Sequence, residues 1–364
     1  MAPRRGGGGY SSSYYRDDNP WSETVWLSLD YYYRDGYKTF FLTQFAFDIL
    51  SLLAFVAFLI WACTIRNRSL PMKGLICALT SFICSQINIV AWEALYVAEA
   101  EVTKYYLISL MLWDFFKFVA ICLTFYVFWN LIHRFLGLIR ASGKPHVAVT
   151  IIHYISLAII FLVSLAEWGM SVASYVRSVT STYDDDMQWI WTQLIAAEYI
   201  VYWVLSTEIL AWGIFVAIKA RSNSFVSKMP AMAFITAAIS WCAVSSALAI
   251  IYIRYSLMPT YDGLPIYLNA AEGIIQFVLW VGTYTGILLC CAKWRNLGDE
   301  QKYPAPQFQP QYPPAQFQPQ YLAQSPEGQY PPVQQQPYGV APYLDHSAQP
   351  QSHPHHQPHH VSPQ

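Results

Sequence analysis

Two oppositely charged residues, Asp114 and Lys117, stand three positions apart in Tyr105–Ile132, a stretch of 28 residues that is otherwise almost wholly apolar and aromatic. On a helix that spacing puts both side chains on one face. A charge at mid-membrane depth costs at least ~2.5–3.5 kcal/mol, which partners or water must offset. The pair therefore faces a protein interior or a wet cavity. Six more acids, Asp48, Glu93, Glu167, Glu198, Glu208 and Glu272, lie in other apolar stretches, with Arg254 at a stretch end and His153 as the further bases.

Such groups can do three kinds of work. They can be structural, pairing with Lys117 or Arg254, hydrogen-bonding across helices or carrying a proton. They can line a pocket for a small polar or cationic ligand, with Asp114 as counter-ion. They can also relay ions or protons. On the first reading Asp114 and Lys117 form an internal salt bridge that locks their helix to its neighbours. On the second the binding set is Asp114, Lys117, Glu198, Glu272, Asp48, Glu93 and Glu167. Spacing supports a polar interior: Gln44 and Asp48 are i, i+4, Gln86 and Glu93 are i, i+7, and Asn269, Glu272, Gln276 and Thr283 follow one another at 3, 4 and 7. Each set makes a polar stripe on one helix face, and together the stripes predict one shared cavity.

Other chemistry finds less support. A catalytic zinc needs three protein ligands, and His153 is the one clear histidine within the apolar stretches, so no metal centre or cofactor is expected. No nucleophile–base set emerges, and an enzyme is not expected. His353, His355, His356, His359 and His360 crowd the C-terminal end, where they are idle or bind Zn²⁺ or Cu²⁺ weakly. The seven cysteines read as small buried hydrophobes. Cys290 and Cys291 directly precede Lys293 and Arg295, which makes them candidates for lipidation by palmitoylation, with buried thiols as the alternative.

The elements that must position these residues follow from composition. The chain has 364 residues, 55% hydrophobic and only 12% charged, where a soluble domain carries ~25% charged residues. It reads as an all-α polytopic membrane protein, a bundle of seven transmembrane helices. The spans are placed at Phe41–Ile65, Met72–Val97, Tyr105–Ile132, Val147–Ala173, Gln188–Ala217, Ala231–Tyr255 and Ile266–Ala292. Each is long enough to cross a core of ~30 Å, and the fifth is the longest. Helix contacts should use small residues: Ala231, Ala233, Ala237 and Ser240 in span six, and Gly282 and Gly286, a Gly-x-x-x-Gly pair, in span seven. Residues 1–40 form an N-terminal tail whose Trp21–Tyr33 segment suits the membrane interface. Residues 293–364 form a Pro/Gln/His-rich disordered tail, in which Gln-Phe-Gln-Pro-Gln-Tyr occurs twice, from Gln307 and from Gln316.

Charge fixes an expected orientation. Arg66, Arg68 and Lys73; Arg134, Arg140 and Lys144; Lys219, Arg221 and Lys228; and Lys293, Arg295 and Lys302 fall on one side, while Glu99, Glu101 and Lys104, Arg177 with Asp184, Asp185 and Asp186, and Arg254 with Asp262 fall on the other. The positive-inside rule then places the N-terminus outside and the C-terminus in the cytosol, most naturally at the plasma membrane. The acceptor pattern Asn67-Arg68-Ser69 falls on the cytosolic side and should stay unglycosylated.

Seven spans, an outer N-terminus, basic inner loops and a Pro/Gln/Tyr-rich tail resemble a receptor of the G-protein-coupled type in topology. The motifs differ: His133-Arg134-Phe135 stands where that family has an acidic-Arg-Tyr triplet, and Gly282-Thr283-Tyr284-Thr285-Gly286 replaces its Asn-Pro pattern. Retinal-binding seven-helix proteins need a lysine in span seven, which this chain lacks. The Gly-rich start and Gln/Pro-rich end are similar to those of integral membrane proteins of filamentous fungi. The expected function is a receptor-like or sensing protein that binds a small polar or cationic ligand in the outer half of the bundle. The alternatives are a cation or proton transporter or channel component, and a membrane scaffold acting through its Pro-rich tail. The expected partners are the lipid bilayer and a cytosolic protein docking on the basic loops and tail, with no nucleic acid.

Overall fold

The computed structural model describes residues 19–29, 36–65, 70–139, 147–180, 185–222, 228–257, 265 and 267–300. The expectations for the two tails beyond these limits, for Asn67, for the terminal histidines and for several charged loop residues lie outside the described residues. Seven helices are long and apolar enough to cross a membrane: α1 (Tyr37–Thr64), α2 (Met72–Val97), α3 (Leu107–Ile139), α4 (Val147–Thr180), α5 (Asp185–Ser222), α6 (Lys228–Tyr252) and α7 (Leu268–Glu300). The protein is an all-α, multi-pass membrane protein. Several helices outrun the apolar stretches: α3 continues seven residues past Ile132, α4 seven past Ala173 and α7 eight past Ala292. Hydrogen bonding carries a helix through polar residues that a hydropathy limit excludes. A π-helical turn, Ile253–Leu257, prolongs α6.

Each helix packs on its neighbours in sequence, α1 returns to α7, and α3 also reaches α5. The ring of helices is thereby closed, with α3 toward its middle. The logic of burial is inverted relative to a soluble bundle. On α4 the buried positions are His153, Ser156, Ile160, Ser164, Glu167 and Ser171, at helical spacings of three and four. Ile151, Ile152, Ile155, Ile159, Phe161 and Leu162 point outward. Hydrocarbon tails accept such an apolar exterior, and polar side chains turn inward to find partners.

One end of the bundle carries a small cap. Strand β1 (Thr24–Trp26) pairs antiparallel with β2 (Glu101–Thr103), in the α2–α3 connection. Lys104 Nζ lies 2.6 Å from Glu23, Asn19 donates to Tyr105 OH, and Leu27 and Leu29 are buried. Residues 19–29 are thus joined to the α2–α3 connection at this end. Glu99, in the left-handed region at φ 49°, turns the chain out of α2 toward β2.

α6 and α7 approach closely at two glycines of α7. A β-carbon added at Gly286 would meet Ala233 O, Ala237 N and Ala237 Cβ, each at 2.8 Å, and one at Gly282 would meet Ser240 Oγ at 2.6 Å. The Gly-x-x-x-Gly pair and three of the four small residues expected on α6 therefore meet as expected. Backbone cannot yield at Gly286, whereas a hydroxyl can rotate at Gly282. Gly286→Ala should cost about 1–3 kcal/mol and Gly282→Ala clearly less, as read by thermal unfolding in detergent; the reverse order would contradict this packing.

Candidate functional site

Lys117 sits on the inward face of α3, but it does not pair with Asp114 as the i, i+3 spacing suggested. Lys117 Nζ donates to Tyr199 OH on α5 at 3.2 Å and lies over the Trp113 ring, 4.8 Å from its centroid. It makes no direct ion pair among the described residues. Asp114 instead accepts from Ser171 Oγ on α4 at 2.7 Å. The internal salt bridge is replaced by a cation seated on aromatic rings and an acid held by a hydroxyl. Glu272, Asp114 and Glu198 act on the ammonium from a longer range.

The remaining acids each have a neutral partner. Glu167 accepts from Trp191 Nε1 at 2.9 Å. Glu198 accepts from Tyr202 OH at 2.5 Å, whose oxygen in turn meets Ser164 Oγ at 2.7 Å. Glu272 accepts from Gln276 at 2.7 Å and from Tyr252. The Tyr252 ring stacks on Tyr199 at 4.4 Å, so a tyrosine pair joins Lys117 to Glu272.

The single expected cavity is two. One of about 190 Å³ lies between α3, α4 and α5 and is lined by Asp114, Glu167 and Glu198 with Trp191 and Tyr202. The other, of about 290 Å³, lies between α1, α2, α3 and α7 and is lined by Gln44, Asp48, Gln86, Glu272 and Gln276. Trp113, Lys117, Tyr175 and Tyr252 border both. Lys117 is therefore the partition, with carboxyl groups on either side. Six of the seven expected binding residues line these cavities, and the seventh, Glu93, reaches Asp48 from behind the second cavity wall. Cys290 and Cys291 are buried in the core, while Cys63 and Cys77 are exposed.

A separate polar cluster lies toward the opposite end, on the far side of an aromatic layer. His153 Nδ1 is 2.9 Å from His133 Nε2, and His153 Nε2 is 2.9 Å from Glu208 Oε1. Trp212 Nε1 donates to the same Glu208 oxygen at 3.2 Å, and the His153 ring stacks on Trp129. The cluster thus ties α3 to α4 and α5. Between it and Lys117, ~24 Å away along α3, the interior is packed with aromatic rings. Phe125, Phe128 and Trp241 fill it with ring centroids 5.4–6.0 Å apart.

The sequence reading placed His133 beyond span three and so missed its role; the apolar run Phe135-Leu136-Gly137-Leu138-Ile139 just after it was the available signal. It also missed the neutral partners. The Ser164–Glu167–Ser171 stripe at i, i+3 and i+7 marked two of them. Among the described residues no group of three or more His, Cys, Asp or Glu side chains is arranged to hold a metal ion. The chain matches no family model, no curated protein and no solved structure.

His153 is buried with both ring nitrogens engaged on other helices. His153→Phe keeps the stacking but leaves His133 Nε2 without its partner and Glu208 with Trp212 alone, and should lower stability by about 1–3 kcal/mol. Chemical or thermal unfolding in detergent checks this; parental stability would mean that the cluster does not join the helices.

Proposed function

We propose that the protein is a receptor-like or sensing membrane protein whose cavity between α3, α4 and α5 binds a small organic cation. One observation carries this reading: three carboxyl groups, Asp114, Glu167 and Glu198, share a cavity of about 190 Å³ with the rings of Trp113, Tyr175, Trp191 and Tyr199. Carboxylates supply charge, ring faces attract ammonium groups, and the space suits a small molecule rather than a single water. Lys117 limits the excess of negative charge without removing it.

Orientation belongs to the same proposal. Lys73, Arg134, Lys219, Arg221, Lys228 and Lys293 gather at the end opposite the cap, which the positive-inside rule assigns to the cytosol. The two cavities then lie in the outer half, under the cap, and a cytosolic partner would meet the basic rim and the Pro-rich tail. The densely packed aromatic layer of Phe125, Phe128 and Trp241 favours ligand binding over a through-going ion path. Likeness to G-protein-coupled receptors rests on helix number and direction alone, since the expected motifs are absent from His133-Arg134-Phe135 and from Gly282–Gly286.

Tetramethylammonium is the simplest probe. Against potassium chloride at equal ionic strength, it should raise the melting temperature of the full-length protein in detergent. The gain is about 2.7 kcal/mol at one hundred times Kd. Asp114→Asn should raise the half-saturating concentration at least tenfold. Identical melting curves in the two salts would contradict the amine site.

A further inference from the structure

Among the described residues Glu93 is the acid with the least exposed surface, none at all. No donor from any described residue reaches either of its carboxyl oxygens. Its neighbour is another carboxyl, that of Asp48 on α1, within hydrogen-bonding reach. Two carboxylates that face each other in a low-dielectric interior accept but do not donate, so they repel unless something positive lies between them. Gln44 supplies one hydrogen bond to Asp48, and Lys117 on α3 and Glu272 on α7 act on Asp48 from farther away with opposite signs. None of these groups donates to Glu93, whose two carboxyl oxygens have no hydrogen-bond partner among the described residues.

Asp48 also lines the cavity of about 290 Å³, and so does Gln86. Gln86 is 4% exposed, and its Oε1 has no partner. The cavity therefore presents unpartnered oxygen on its α2 wall, beside a pair of acids that requires a positive occupant. Oxygen donors without nitrogen or sulfur suit hard cations.

We infer that Asp48 and Glu93 form an exchangeable site for a small monovalent cation, occupied by a shared proton when empty of metal and by Na⁺ when it is loaded from the second cavity. The exchange balances: one proton leaves the carboxyl pair for solvent as one Na⁺ enters, and the pair keeps a net charge of minus one throughout. A divalent ion would neutralise the pair outright and remove the negative charge that Lys117 feels from Asp48, whereas a monovalent ion leaves the local charge as the shared proton sets it. The inference stands apart from the amine site, which uses acids on the other side of Lys117.

The experiment is proton release. Full-length protein in detergent, weakly buffered near neutral pH with a pH-indicating dye, receives NaCl or an equal concentration of CsCl. NaCl should release up to one proton per protein, saturably, and CsCl, with its larger ion, should release far less. Glu93→Gln can donate an amide hydrogen to Asp48, which preserves the α1–α2 contact while it abolishes the release; Asp48→Asn should behave alike. Size-exclusion profiles confirm that the variants are folded. Absence of release from the parent protein, equal release with both salts, or undiminished release from folded Glu93→Gln would each overturn the site.

Discussion

A single ammonium, that of Lys117, stands among six carboxyl groups in one half of a low-dielectric bundle. Coulomb attraction in such a medium is strong and long-ranged compared with water, so this charge does not need to touch an acid to matter. It sits on Trp113 and Tyr199 instead of docking on Asp114, and that placement lets it face both cavities. Everything polar in this half follows from the constraint. Each acid is given a hydroxyl, an indole or an amide as partner, except Glu93, which is given another acid.

The two halves of the bundle are built differently. Beneath the cap the interior is polar, hollow and rich in tyrosine. Farther along, Phe55, Phe82, Phe125, Phe128 and Trp241 form a dense aromatic layer, and α6 and α7 touch backbone to side chain at Gly286. Dense packing transmits strain, and cavities absorb it. On the proposed reading, a ligand that draws Lys117 toward one cavity changes the balance in the other; Tyr199, which borders the cavity between α3, α4 and α5 and stacks on Tyr252 next to the π-helical turn, joins that cavity to the end of α6.

Much of this was legible in the sequence. Long apolar stretches announce the seven helices because hydrocarbon leaves the backbone no other way to satisfy its hydrogen bonds. The acids announce an interior, since lipid would not tolerate them. The Gly282–Gly286 spacing announces a close contact. What could not be read was pairing. Asp114 and Lys117 share a face, yet a 4.8 Å seat on Trp113 and a hydroxyl from Ser171 took both away from each other, and those partners come from elements far apart in the chain. The Asp48–Glu93 contact likewise depends on the relative height of α1 and α2, which no local spacing encodes. His133 was lost because a helix does not stop where hydropathy falls.

The central claim is that Lys117 serves both cavities at once. Double-mutant cycles test it directly, pairing Lys117→Met in turn with Glu198→Gln, Glu272→Gln and Asp114→Asn and reading stability in detergent. The account predicts coupling of about 0.5–3 kcal/mol to Glu198 and to Glu272, on opposite sides of the partition. Coupling to Asp114 alone, with none to the other two acids, would restore the simple salt bridge and contradict the account.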